Sequence, residues 1–311
     1  MYDPAAVQFY DIAHSGAHLR SIANFLRSAD CAELEHFQLR SFVVLAPDDE
    51  ARSAAELALA ELGVLDFPIV VATQLPTYVG PLDVVLVVSQ RGTDLELEHA
   101  LSSASGRGAT TLLIAPSGAP LIDDASDRVT IIPGLPNSPE VAISQVCAAV
   151  LGVSWLVQLG VRCASEQLDE LADAVDDELT RVAPDRDPSV NLAQQLRESL
   201  DGHRILHTGH GALARLLATY WTAHGLLSAA LSISDLPQAL PRLQQAAPDV
   251  FYDPFEDGPA EVLPLRVVVW GAHAQASSQA IVQECTPPAA SRHEEVFRLL
   301  VRGLAVTALT D

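Results

Sequence analysis

The sequence predicts an α/β chain built from two parallel-sheet units, and three observations carry that prediction. Residues 84–88 read Val-Val-Leu-Val-Val, a run too continuous for a strand with one face in water, so the strand is buried on both faces as in parallel sheets. Apolar runs alternate with helical patterns at the spacing of βαβ units, which sets helices on both faces of the sheet. The stretch 184–188, with Pro184, Asp185, Asp187 and Pro188, reads as a linker, and a second α/β unit begins beyond it.

In order along the chain, residues 4–27 carry Ile12, Leu19, Ile22, Phe25 and Leu26 as a helical stripe that packs across the first lobe. His14 and His18 share a face of that helix at a legal spacing for a metal pair. No third ligand is near in sequence, so they read as solvated or partner-facing. Residues 41–46 form a buried strand, and Pro47-Asp48-Asp49-Glu50 opens a helix to 62 whose acids complement its own N-terminus and repel an anion. Strands follow at 68–73 and 83–89. A helix over 95–105 ends at Gly106 and Gly108, a fourth strand over 109–115 stops at Pro116-Ser117-Gly118, and a fifth covers 128–132. Residues 141–159 make a long apolar helix, the hinge of the fold, covering the sheet or a second subunit. Residues 165–182 are amphipathic, with Leu168, Leu171, Val175 and Leu179 on one face and acids on a solvated face. Beyond the linker, 191–200 is helical, 203–208 a strand, 209–214 a glycine turn opening a helix to 223, and 230–234 a short strand. A buried strand over 263–270 and a helix over 292–309, packed on the sheet or across a dimer interface, complete the chain. The lobes are thus set at 1–162 and 191–311, with 163–190 as a helical connector.

Composition narrows the function. With 311 residues and 49% hydrophobic content the chain has enough for two packed lobes. A net charge of −22, spread along the chain, repels polyanions and argues against nucleic acid or anionic membrane as partners. All 18 basic residues are arginine, and without a lysine Schiff-base aldolases, pyridoxal-phosphate enzymes and P-loop NTPases are excluded. Cys31, Cys147, Cys163 and Cys285 stand far apart with no CxxC spacing and read as buried free thiols of a reducing compartment. The N-terminus lacks a basic and an apolar signal region, and the longest apolar stretch, 146–161, falls short of a membrane span. The expectation is a cytoplasmic protein with no metal and no cofactor.

Two turns carry chemistry. Ser89-Gln90-Arg91-Gly92-Thr93-Asp94 runs from a strand into a helix and sets hydroxyls and helix N–H groups at the carboxyl end of the sheet, which suits a phosphorylated small molecule. An ordinary turn capped by Thr93 or Asp94 fits the same residues. Gly209-His210-Gly211-Ala212-Leu213-Ala214 matches the dinucleotide fingerprint G-x-G-x-x-A, although no clear second strand ends in an acid at the expected distance. His203, His207, His210 and His224 cluster here in sequence and read as structural or ligand-contacting rather than metal-binding.

The order of elements resembles the double sugar isomerase (SIS) domain family. Its nearest branch is the bifunctional phosphoglucose/phosphomannose isomerase-like proteins, especially a divergent group in high-GC bacteria whose genes often lie beside mannose-phosphate genes. The resemblance spans nearly the whole chain and is carried by residues 89–96, Pro116-Ser117-Gly118, the helix over 141–160, Asn191-Leu192-Ala193-Gln194-Gln195-Leu196 and Tyr252-Asp253-Pro254-Phe255. It implies two flavodoxin-like, three-layer α/β/α lobes, a homodimer, and a sugar phosphate held by Ser89, Arg91, Gly92, Thr93 and Ser117. In the family motif Ser-x-Ser-Gly-Asn-Thr, Ser89 and Gly92 match, while Arg91, Thr93 and Asp94 replace the second serine, the asparagine and the threonine. Two phosphate hydroxyls are missing, and Arg91 supplies charge instead. The family's glycine-rich turn after the first strand is here Pro47-Asp48-Asp49-Glu50. Aldose–ketose isomerisation needs a carboxylate base and a histidine to open the ring. The family's positions for these fall on Leu227 and near Pro241, leaving His224 and Asp235 as the neighbouring candidates. The expected function is an isomerase-like protein of mannose or glucose phosphate metabolism that retains sugar-phosphate binding or a regulatory and partner role, with loss of catalysis left open. Its rivals are an active isomerase using His224 or Asp235, a dinucleotide-dependent enzyme, and a structural partner protein.

Overall fold

A computed structural model describes residues 4–31, 34–136, 138, 140–244, 263–271 and 280–309. The first part of the chain runs α1 (Pro4–Ala13), α2 (Ser15–Leu26), β1 (Ser41–Leu45), α3 (Asp49–Glu61), β2 (Ile69–Ala72), β3 (Asp83–Val88), α4 (Leu95–Gly106), β4 (Thr110–Ile114), α5 (Pro120–Asp123) and β5 (Val129–Ile131). Two long helices come next, α6 (Ile143–Leu159) and α7 (Val161–Val182). The second part runs α8 (Leu192–Leu200), β6 (Arg204–Gly209), α9 (Gly211–Ala223), β7 (Ser228–Ala230), α10 (Leu236–Gln244), β8 (Leu265–Trp270), β9 (Ile281–Gln283) and α11 (Arg292–Ala308).

Both sheets are parallel throughout. The first has strand order β2-β1-β3-β4-β5 and the second β7-β6-β8-β9, so each begins at an inner strand and is wound outward in both directions. The apolar run of β3 explains its place at the centre: all six of its residues are buried, paired to β1 on one side and β4 on the other. Alternate residues sort to opposite faces. Phe42, Val44, Val84 and Leu86 join the large core beneath α2, α3 and α6, while Val43, Leu45, Val85 and Val87 meet Leu97, Leu101 and Leu121 of α4 and α5. The start of β3 is pinned by Asp83, whose buried carboxylate accepts from the Ser41 hydroxyl at 2.7 Å, the Gly80 N–H at 2.8 Å and the Arg40 guanidinium.

One core serves both sheets. The cluster under the first sheet is continuous with Ile205, Val268 and Trp270 of the second through α6, α7, α9 and α11. In α6 every residue from Ile143 to Leu156 is buried, which is why its sequence is apolar nearly all round, with Ser144, Gln145 and Ser154 the buried polar exceptions. Glu178 of α7, also buried, ties that helix to α11: Arg302 donates to it at 2.8 and 2.6 Å, and Arg298 at 3.2 Å.

The structure departs from the sequence expectations in five places, the first being His18, which is 2% exposed and not solvated. The helix over 4–27 is broken at His14 into α1 and α2. The acids of α7 are not simply solvated, because Asp173 and Asp176 pair with Arg20 at 2.7 and 2.5 Å, and Asp169 pairs with Arg27. The short strand set at 230–234 is β7, two residues earlier. Finally α5, α10 and β9 were unforeseen, since α10 contains Pro241, ordinarily a helix breaker, and α5 and β9 are too short for periodicity to show. Tyr252-Asp253-Pro254-Phe255 lies outside the described residues. No helix among the described residues is long and apolar enough to cross a membrane.

Candidate functional site

Strand β3 delivers the Ser89 turn to the carboxyl end of the first sheet. The Ser89 N–H continues the ladder to the Ile114 carbonyl at 3.0 Å, so its side chain is held facing into the turn. There the buried hydroxyl accepts from the Gly92 N–H at 2.9 Å and donates to Asp94 Oδ2 at 2.9 Å. Gly92 has φ +66, and a Cβ on it would lie 2.2 Å from that of Ala119, so only glycine fits beneath the 116–121 loop. The predicted ligand residues are therefore adjacent but aimed differently. Ser89 faces inward, the exposed Arg91 lines the cleft between the lobes, Thr93 lines a groove beside the start of α4, and Ser117 stands exposed on the loop above Gly92.

The cleft has a volume of about 930 Å³ and is walled by the starts of α3 and β7, the Ser89 turn and the outer face of α9. Asp48 anchors the rim by accepting from the Gln90 N–H at 3.4 Å, and Arg52 is taken up by Asp49 and the Pro47 carbonyl. Arg91 and Arg215 line the same cleft, and their guanidiniums have no hydrogen-bond or ion-pair partner among the described residues. Buried Gln90 Oε1 and Ser228 Oγ are also without partners.

Glu50 and Glu140 line this cleft and also a second cavity of about 380 Å³, so the two meet there. Helix ends surround the second cavity: the N-termini of α3 and α6, the C-termini of α9 and α11, and part of α1. Its wall includes Ser144, 1% exposed, whose hydroxyl has no partner and which sits in the first turn of α6, a helix with an alanine at its N-cap. Glu50 is half-buried, and burial raises its carboxyl above the usual carboxylate range, with the charge of His224 opposing and those of Glu140 and Asp48 reinforcing the rise. His224 gives its Nδ1 to the Tyr220 carbonyl at 2.8 Å, which fixes Nε2 as the acceptor of the neutral ring. Burial pushes the Tyr220 phenol up to about 12. This arrangement offers a half-desolvated carboxylate and an imidazole on the wall of one cavity.

Of the sequence candidates, His224 lines that cavity, while Asp235 is exposed before α10 and lines neither cavity. Leu227, at the family's glutamate position, is 63% exposed. Glu50, Ser144 and Arg215 were not singled out from sequence, because a helix-opening acid, a serine in an apolar run and an outward arginine look ordinary one at a time.

The glycine turn of the second lobe is packed at Gly209 and His210, while Gly211 is exposed. Gly209 has φ +97, and a Cβ there would lie 2.3 Å from the Trp270 carbonyl oxygen. The His210 ring closes over Gly271 and reaches Glu295 at 3.6 Å. Behind it, His207 is fully buried, accepts from Trp270 Nε1 at 2.9 Å and is held down to about 3 by burial. This packing at Gly209 and His210 gives the dinucleotide reading no support. Nor are any three His, Cys, Asp or Glu among the described residues grouped to hold a metal ion, and none of the four cysteines is paired.

Comparison with known proteins yields a likeness of fold. The chain matches no family model and no curated protein by sequence. Its structure is similar to tagatose-6-phosphate ketose/aldose isomerase from Escherichia coli, with TM-score 0.63 and 18% identity over 99% of this chain and 95% of that one. It is also similar to the C-terminal domain of glucosamine-fructose-6-phosphate aminotransferase from Francisella tularensis, with TM-score 0.59 and 14% identity over 98% and 96%. A third similar structure is glucosamine-6-phosphate deaminase from Thermotoga maritima, with TM-score 0.57 and 12% identity over 96% and 92%. The fold is therefore the two-lobed SIS-type α/β architecture of these solved structures.

Proposed function

We propose that this chain binds a phosphorylated sugar between its lobes, with Arg91 and Arg215 receiving the phosphate and the cavity beside α6 receiving the hydroxyl-bearing ring. One observation carries the reading: two neighbouring cavities that share Glu50 and Glu140 in their walls, with unpaired guanidiniums lining one and the unpartnered Ser144 hydroxyl lining the other. Sugar hydroxyls donate to carboxylates and accept from serine and helix N–H groups, and guanidinium suits phosphate. Ser89, Gly92 and Thr93 shape the rim, with direct contact falling to Arg91. The sugar class suggested by the resemblance is glucose or mannose phosphate, in the phosphoglucose/phosphomannose isomerase-like branch. A homodimer belongs to the same proposal, and sedimentation at micromolar concentration tests it.

The test is a thermal-shift panel of hexose and pentose phosphates. A ligand at 100 times its dissociation constant adds about 2.7 kcal/mol. The Arg91→Ala, Arg215→Ala double variant is expected to lose the shift, and an equal shift in both proteins puts the phosphate elsewhere.

A second reading, an active aldose–ketose isomerase, is favoured by Glu50 and His224 on one cavity wall. A carboxylate with a raised pKa suits abstraction of a proton beside a carbonyl, and His224 Nε2, an acceptor, suits taking the proton of the anomeric hydroxyl as the ring opens. Solvent deuterium entering the bound sugar, and ceasing to do so in Glu50→Gln, supports this reading; no exchange in the wild type leaves a binding protein that has lost catalysis.

A further inference from the structure

A strand end, a glycine turn and the N-terminus of a helix make the Ser89 turn the kind of place where an anion settles. What fills it here is part of the chain. Asp94 stands at the N-cap of the 12-residue helix α4 with extended backbone, φ −83 and ψ 109, where such a side chain ordinarily caps the first amides. It makes no such bond and instead accepts from the Ser89 hydroxyl at 2.9 Å. Ser89 is 0% exposed, accepts from Gly92 and gives its one proton to the bond with Asp94, so its hydroxyl has none left to offer. The turn has no room to spread, because Gly92 is pressed against Ala119 and its carbonyl is held by the Leu121 N–H at 3.0 Å. Glu96 and Glu98 in the first turn of α4 add negative charge to the same helix end.

We infer that Asp94 determines the specificity of this rim: its carboxylate stands in for an external anion at Ser89, so the turn rejects phosphate and the anionic end of a ligand is left to Arg91 on the cleft side. Only the second half rests on the sugar-phosphate reading; the exclusion holds for any phosphate.

Calorimetric titration of the full chain with inorganic phosphate tests this. Asp94→Ala removes both the charge and the acceptor, freeing the Ser89 proton and the space beside it, and Asp94→Thr replaces the carboxylate by a shorter hydroxyl. Each is expected to bind phosphate roughly tenfold or more tightly than the wild type, since a like charge at contact distance has been removed. Adding Ser89→Ala to either is expected to cancel the gain. Equal phosphate affinity in the wild type and both variants, with circular dichroism showing them folded, overturns the inference, as does a gain that survives Ser89→Ala. A wild type that binds no sugar phosphate while Asp94→Ala gains phosphate keeps this inference and sinks the binding reading.

Discussion

The two lobes use the same winding, yet their equivalent rims have opposite characters. In the first, the carboxyl ends of β1 and β3 open onto a cleft lined by Asp48, Glu50, Gln90 and Arg91. In the second, the end of β6 turns into a packed knot of Gly209, His210, Trp270 and Glu295, with His207 and Trp221 in edge contact behind it at 4.5 Å between ring centroids. A strand, a glycine and a helix start thus do not define a site by themselves. The side chains packed around the turn decide whether the rim faces a ligand or the core.

This contrast can be broken from several directions. The largest effect is expected where α7 is tied to α11. Glu178→Ala leaves Arg298 and Arg302 buried without their carboxylate and is expected to cost about 3–5 kcal/mol in urea unfolding. Gly209→Ala attacks the second rim directly, combining a positive φ with a clash against the Trp270 backbone, and is expected to cost about 2–4 kcal/mol. If it costs nothing, that rim is looser than described.

The pH dependence is next in size. Burial holds His207 at about 3, and burial with the nearby His14 holds His18 at about 4, against an ordinary value of 6.5. The unfolded chain therefore takes up protons that the folded chain refuses. Stability from these groups is complete above 6.5 and falls as the pH drops toward 4 and then 3, by at most about 1.4 kcal/mol per pH unit for each group. Thermal unfolding between pH 7 and 4 checks this, and His207→Gln is expected to flatten the slope. The smallest effect on stability belongs to the first rim. Arg91→Ala with Arg215→Ala is expected to stay within about 0.5 kcal/mol of the wild type in the absence of ligand while removing the shift produced by a sugar phosphate.

The strands of the first sheet were legible because their burial on both faces leaves continuous apolar runs such as 84–88, and helices such as α11 because one face repeats. The second sheet was harder. β7 is only Ser-Ala-Ala and β9 only three residues long, and neither β7 nor β9 carries a pattern to read. At the rim, the Ser89 turn and His224 were visible in sequence, but the role of Asp94 was not, because its bond to Ser89 depends on a side-chain direction that spacing does not encode. Glu50 and Ser144 are far apart in sequence, and only tertiary packing brings them to one cavity.

The core that runs unbroken beneath both sheets bears on how the protein can be handled. The proline-bearing stretch at 184–188 looks like a natural place to cut, yet α11, which lies after it in the chain, packs on α7, which precedes it, with Val175 and Val301 in one buried cluster. Either half expressed alone would bare that greasy seam to water. Fragments made at this point are expected to precipitate, and to recover a native-like circular dichroism spectrum only when both are refolded together.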